Sequence, residues 1–519
     1  MRPWVTRSAL VMACGAVAAC ADSAPATSPT TAVVPVTTVT TVAADTTPPV
    51  DGVPEIAALD AAADTADDAR VAESVTDATA HGSAPWRCTA APAVDTNVEV
   101  WHAFGPDTVA FAVLDAQVER FETTHPGAHV ELTRVDGTGE ALVRLAELPP
   151  AERPHVFLGA AATVRNQTDS GLFVPPAECA GGTTPAVLAD VLPVVRHAYQ
   201  VDGVLQAAPY GVSAPVMMYD RTRWREAGLD PDDPPTTWDD LFATVEALAA
   251  SGVMRYGAAL YDGSGAWLVS HVAAQEGRLL VEPANGHAGS QVDAVHLASP
   301  TTIDLLARFG ALDATQQILW AGLNESGLAD LLALVRIGGE GPSAGLTFHT
   351  AASLGDVYTL LAEVPDLADV DVGVAALPGP QISPPGGNAW WLVDRGDTAQ
   401  VGAAWEFVEW LSQPAQNAEL AAATGYAPIT PAAAAEPVVT AAWEVQPNLR
   451  VAYDLIAATP ATDAAAGLQV GPAAEVLRQI ELAAAWPIDA HADPAAKLAE
   501  HGDLALAHLA EYAADHAGR

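Results

Sequence analysis

The side chains of this chain that could do chemistry are mostly carboxylates: 64 Asp and Glu stand against 22 Lys and Arg, beside 14 His and 4 Cys. Few fall into the spacing a reaction needs. Gly211-Val212-Ser213-Ala214-Pro215 has the first glycine and the serine of a nucleophile elbow, but proline stands where the sharp strand-to-helix turn needs another glycine. Gly137-Thr138-Gly139 begins like a dinucleotide-binding turn and lacks the third glycine that lets helix and strand pack round a pyrophosphate. There is no GxxxxGKS/T run to cradle phosphates and no HExxH to hold a catalytic zinc. His491, His501, His508 and His516 are scattered through a C-terminal helical region and read as a solvated face. Cys88 and Cys179 have neither a CxxC partner nor a His at ligand spacing, so no metal and no cofactor is expected. Two acids facing across a cleft would suit glycoside hydrolysis, and so acidic a chain leaves that pairing open without singling out a pair. The chemistry on offer is that of binding more than of turnover.

Composition narrows what could be bound. A formal net charge of −42 argues against nucleic acid, whose phosphate backbone attracts a basic footprint. It argues less against a small anion, because a local basic pocket can override the overall field. Thirteen Trp accompany only nine Phe and five Met, an excess suited to stacking on flat ligand faces as well as to filling a core.

Residues 1–20 give an address. Arg2 and Arg7 precede an apolar run from Ser8 to Ala19 that is too short to span a bilayer, so the segment reads as a secretory signal. It closes on Val17-Ala18-Ala19-Cys20, which resembles the bacterial lipobox, a signal in which the cysteine takes lipid after cleavage. The protein is therefore expected on the extracellular face of the cell membrane, held by lipid on Cys20 alone. With Cys14 lost in the signal, Cys88 and Cys179 are left in an oxidising compartment and most simply form one disulfide. Residues 21–85, rich in Thr, Pro, Ala and Asp without a hydrophobic period, read as a disordered tether.

The elements that must position any binding residues begin near Asn97. Val98 and Val100 alternate with polar neighbours as a short strand, and Phe111, Leu114, Val118 and Phe121 form a helical stripe. His125-Pro126-Gly127 ends that helix, and strands follow at Val130–Leu132 and Val156–Leu158. Strand, helix, strand implies a βαβ unit and a parallel sheet covered by helices. Downstream, Thr237 is positioned to cap a helix with Trp238, Leu241, Val245 and Leu248 on one face, closed by Ser251-Gly252. Another helix, after Asp397, carries Val401, Trp405, Val408 and Leu411 and stops before Pro414.

Residues 208–252, APYGVSAPVMMYDRTRWREAGLDPDDPPTTWDDLFATVEALAASG, resemble the family 1 extracellular solute-binding proteins of bacterial ABC importers. Val100-Trp101-His102, Gly386-Gly387 with Trp390-Trp391, Ala423-Thr424-Gly425-Tyr426-Ala427-Pro428 and Gly467-Leu468-Gln469-Val470-Gly471 match the same pattern in order. The likeness spans about residues 97–515 and is nearest to the glycerol-3-phosphate and glycerophosphodiester receptors. It implies an α/β fold of two lobes, the type II periplasmic-binding-protein architecture, with three interlobe crossings and ligand in the cleft. The crossings would fall near 209–214, 384–388 and 424–428. Lobe 1 is then 97–208 plus 388–424, and lobe 2 is 214–385 plus 426–515.

The resemblance also implies contacts. Ser213, Gly387 and Tyr426 fall at crossing positions and Trp267 at an aromatic platform, with Phe104, His349 and Thr350 as further wall candidates. Three positions depart from the glycerol-phosphate type: Gly139 replaces a Tyr, Ala161 a Glu, and Gln469 an Arg. An Arg fork matches phosphate in charge and geometry; a Gln lacks the charge. A neutral carbohydrate or polyol is therefore expected, a disaccharide or longer, with Trp267 stacking and Asp136, Glu140, Asn388 and Gln469 bonding hydroxyls. A glycerol-3-phosphate or glycerophosphodiester receptor is the alternative; a carbohydrate-cleaving cleft or a structural wall protein are remoter ones. The implied partners are a small-molecule solute and ABC permease subunits, with the receptor itself a monomer.

Overall fold

A computed structural model describes residues 86–516 apart from 94–95, 290, 322–342 and 368–369. The expected signal sequence over 1–20, with Cys14 and Cys20, and the expected tether over 21–85 lie outside the described residues. All that is described lies in one unit, Ala69–Arg519.

The first lobe begins with β1 (Asn97–His102) and α1 (Val109–Thr124). Thr108 caps α1 by accepting from the Phe111 amide, and the stripe Leu114, Val118, Phe121 turns into the core as its helical spacing requires. Next come β2 (His129–Arg134), α2 (Thr138–Glu147), β3 (Val156–Ala160), β4 (Phe173–Val174), α3 (Pro193–Tyr199) and β5 (Ala208–Ser213). After Ala214 the chain enters the second lobe with β6 (Pro215–Asp220), α4 (Trp238–Ala250), β7 (Tyr256–Leu260) and α5 (Asp262–Gln275). There β8 (Ile318–Trp320), β9 (Ala344–Thr350), α6 (Leu354–Glu363) and β10 (Val372–Ala376) complete its sheet. The chain returns as β11 (Gly386–Val393) and α7 (Thr398–Leu411), and later elements include α8 (Asp463–Ala466), α9 (Ala473–Asp489) and α10 (Pro494–His516).

The first sheet runs β2-β1-β3-β11-β4, with β5 also paired to β11; the second runs β8-β7-β9-β6-β10. Pairings β1–β2, β1–β3, β7–β8 and β7–β9 are parallel, as a βαβ chain demands. Neither sheet is parallel throughout, which corrects the expectation from the βαβ pattern. The strand β11 runs against β3, β4 and β5, and β6 runs against β9 and β10. The reason is topological: β6 and β11 each enter directly from the other lobe, without a helical crossover to set them parallel.

Each sheet has its own core. Val98, Val100, Leu114, Phe121, Phe157, Trp390 and Trp391 pack in the first, and Leu241, Val245, Leu260, Phe309, Phe348 and Ile480 in the second. Thr237 does cap α4, accepting from the Asp240 amide, and Asp397 caps α7. The stretch after Tyr426 serves both lobes: Ile429, Leu455 and Ile456 join the first core, while Leu449 and Ala452 pack with Val216 and Met218.

Cys88 and Cys179 are bonded, their Cα atoms 4.9 Å apart and 91 residues apart in sequence. Beside them Arg87 reaches Glu178 at 2.6 Å, and Thr89 runs so close to α7 that a Cβ on Gly402 would meet its carbonyl oxygen. One of the scattered histidines departs from expectation: His501 is buried, its Nδ1 2.8 Å from Gln479 Oε1, because α10 packs along α9 there.

Candidate functional site

Three passes of the chain meet where the lobes join. Gly386 and Gly387 of β11 pair with Ser213 and Val212 of β5, and the Ala427 amide donates to Val212 O at 2.7 Å. Gly387 has φ +103°, and a Cβ there would lie 1.8 Å from Gly211 O. Only glycine permits that approach, so this pair of residues sets the hinge. Gly211 in turn leaves room for the Tyr426 ring, whose atoms would touch any Cβ at 3.0 Å.

Beneath this junction lies a cavity of about 560 Å³, inside the range of small-molecule sites. Phe104, Thr138 and Ala160-Ala161-Ala162 wall it from the first lobe, and Trp267, Ser270, His271, Thr350 and Leu477 from the second. Ser213, Gly387, Asn388 and Tyr426 form the hinge side, and Gly467-Leu468 a loop edge. The Asn388 amide spans two partners: Oδ1 accepts from the Gly211 amide at 3.2 Å and Nδ2 donates to the Tyr426 hydroxyl at 3.3 Å. Burial pushes that hydroxyl up to about 12 despite the Asn388 bond, so Tyr426 remains a proton donor at neutral pH. Trp267 is held edge-on to Tyr261, with ring centroids 5.8 Å apart, and to His349 at 6.5 Å. Among the described lining residues there is no Lys, Arg, Asp, Glu or Cys, hence neither a charge nor a metal-ligand set.

Of the residues singled out in the sequence, Phe104, Ser213, Trp267, Thr350, Gly387, Asn388 and Tyr426 reach the wall. The structure does not bring the other four there. Asp136 is 92% exposed beside Arg134, and Glu140 faces outward from the first turn of α2; Thr138, between them, is the residue that turns in. His349 is buried one layer behind, with Nδ1 3.0 Å from Ser353 Oγ. Gln469 is buried too, and its Nε2 donates to Ala198 O and Gln200 O, so its amide binds backbone. Of the three departures, Ala161 is in the wall, while Gly139 and Gln469 are not.

His271 escaped the sequence reading. It lines the cavity one helical turn after Trp267, is 2% exposed, and its Nδ1 has no partner. Burial holds its pKa at about 4, so the ring is neutral at physiological pH. The i, i+4 spacing from Trp267 was the available signal.

Two α/β lobes hinged by three crossings around a cleft define a two-lobed binding protein of type II architecture. The chain belongs to the bacterial extracellular solute-binding protein family, whose model matches residues 116–447. It is 28% identical over 295 residues to the sn-glycerol-3-phosphate-binding periplasmic protein UgpB of Yersinia pseudotuberculosis, a match spanning 55% of this chain and 63% of that protein. Among solved structures it resembles UgpB from Mycobacterium tuberculosis in complex with glycerophosphocholine, with TM-score 0.63, 19% identity, and coverage of 80% and 99%. It also resembles the cyclic alpha-maltosyl-1,6-maltose binding protein from Arthrobacter globiformis, with TM-score 0.60, 20% identity, and coverage of 80% and 98%. No helix among the described residues is long and apolar enough to cross a membrane.

Proposed function

We propose that the chain is the lipid-anchored extracellular receptor of an ABC importer, capturing a neutral carbohydrate or related polyol between its lobes and handing it to the permease. The observation behind this is the uncharged wall: Trp267 beside the hydroxyls of Ser213, Thr350 and Tyr426, the Asn388 amide and the His271 imidazole. A sugar presents C–H faces to an aromatic ring and hydroxyls to such donors and acceptors. A phosphate taken from water is best compensated by a cation or by a nest of N–H donors, and the described wall supplies no cation. The lobes, as 97–208 plus 388–424 and 214–385 plus 426–515, with Ile429, Leu455 and Ile456 of the last stretch packed on the first core, would close as a monomer on the solute, which removes water and presents one closed surface to the permease.

The relatives named for sn-glycerol 3-phosphate favour a second reading, a glycerol-3-phosphate or glycerophosphodiester receptor. Calorimetry at physiological salt with maltose, ribitol, glycerol 3-phosphate and glycerophosphocholine separates the two. Micromolar or tighter binding of a sugar or polyol is expected; submicromolar binding of the phosphorylated compounds with no response to any neutral one sinks the substrate reading and leaves the receptor. Product analysis after long incubation with oligosaccharide should show no cleavage. Cys20→Ser should release the protein from the membrane fraction or leave its signal uncleaved, and unchanged partition of a cleaved chain would refute the anchor.

A further inference from the structure

Outside the cavity, three side chains far apart in sequence converge. His197 lies on α3 of the first lobe, His287 on the second-lobe loop after the short strand Val281–Glu282, and Asp463 opens α8. One ligand atom from each lies within 4.8 Å of the others, and all three residues are half-buried. His197 Nε2 and Asp463 Oδ1 are 2.8 Å apart as an N–H···O bond, whose proton a bound dication would displace to solvent, and the two imidazoles are stacked with centroids 4.8 Å apart.

The surroundings orient the set. His287 Nε2 faces Gly467 O at 3.1 Å; a carbonyl only accepts, so Nε2 carries the proton and Nδ1 presents its lone pair. A backbone carbonyl bonded to the distal ring nitrogen is the usual device for fixing a metal-binding histidine. The Asn285 side chain donates to Asp463 O at 3.0 Å, and the Gln469 amide donates to Asn285 O at 2.9 Å, stitching the His287 loop to that of Asp463. Gly286 allows this: a Cβ there would meet Gln469 O at 2.2 Å.

We propose that His197, His287 and Asp463 bind one borderline first-row dication of the zinc type, pinning α3 of the first lobe to the loop that edges the cavity. Two imidazoles and one carboxylate suit such an ion, with water in the fourth place, whereas Ca²⁺ and Mg²⁺ favour all-oxygen sites. Ligand atoms in a tetrahedral zinc site stand about 3.3 Å apart, so side-chain rotations that shorten the separations by up to about 1.5 Å complete the geometry. Ala198, next to His197, and Gly467, bonded to His287, both line the cavity, so the ion would brace the solute site from behind.

The test is thermal melting of the full chain with Zn²⁺, Ca²⁺ or Mg²⁺ chloride, in the unaltered protein and in His287→Ala and Asp463→Asn. A saturable rise of several degrees with Zn²⁺ alone, lost in both variants, is expected. No saturable rise, an equal rise with Ca²⁺ or Mg²⁺, or a rise retained in either variant overturns the site. Because a substitution can disturb folding by itself, Co²⁺ absorption on the unaltered chain gives a separate reading. An intense tetrahedral d–d band without thiolate-to-metal absorption is expected; the spectrum of aqueous Co²⁺, or thiolate absorption, overturns the proposal.

Discussion

At the scale of single residues, the proposed sugar site puts two side chains to the test, the Trp267 ring and the buried His271 imidazole. Trp267 is fixed by Tyr261 and His349 before any ligand arrives, so little side-chain entropy is lost on stacking. Trp267→Ala should weaken sugar binding by about 1–3 kcal/mol in calorimetry, the scale of burying one aromatic face; unchanged affinity would remove Trp267 from the site. His271 carries a pH signature. The unfolded chain takes up its proton near 6.5, the folded chain only near 4, through burial alone. Well above pH 6.5 neither state holds that proton and stability is unaffected. As pH falls from 6.5 to about 4 the unfolded state gains protons first, so stability drops by up to roughly 3 kcal/mol. His155, also held at about 4, first by burial and then by Arg395, acts in the same direction. Urea unfolding of His271→Asn across this window should show a flatter pH dependence than the parent; parallel curves would contradict it. Gly387 and Tyr426 were legible only through the family pattern; the structure supplies the reason for one of them, since a Cβ at 387 would meet Gly211 O. Asp136 and Glu140 were not, because which residue of the turn faces inward depends on how α2 docks. His271 looked like any core histidine on an apolar helix.

At the scale of elements, periodicity located α1, α4, α7 and the first three strands to within a residue or two, since each buries the face its pattern marks. Strand direction was hidden, because alternation fixes which face is buried and says nothing of which way a neighbour runs. The disulfide is a further element-level device. Residues 86–93 are held by Cys88–Cys179, by Arg87 on Glu178, by Thr89 against α7 and by the Ala93 amide on Glu406. Closing a 91-residue loop restricts the unfolded chain far more than the folded one. Replacing both cysteines by serine should lower unfolding stability by about 2–4 kcal/mol in denaturant titration, with solute affinity unchanged, since neither lines the cavity. A stability equal to the parent's would show that the segment is docked without its covalent tie.

At the scale of the molecule, the lobes touch beyond the hinge and the solute. The Val109 amide at the start of α1 donates to Asp356 Oδ1 of α6 at 2.7 Å, and Tyr512 of α10 donates to Asp169 Oδ2 at 3.0 Å. The Gln469 amide crosses the same seam to the end of α3. Such bonds connect surfaces that separate if the lobes rotate apart, so they bias the equilibrium toward the arrangement in which the cleft is enclosed. Apparent affinity scales with the fraction of molecules in the competent arrangement. Asp356 is the most informative: its carboxylate is half-buried, and burial raises its pKa while the Val109 bond opposes that. Asp356→Ala removes a bond to a charged acceptor at a helix N-terminus, worth about 1.5–3 kcal/mol, without touching the cavity wall. The ligand-free protein should then show a larger radius of gyration by small-angle scattering, while the form saturated with sugar keeps the parent value. Affinity for that sugar should fall by roughly tenfold or more, through the smaller competent fraction. If scattering and affinity both match the parent, the contact rides with one lobe and contributes nothing to closure.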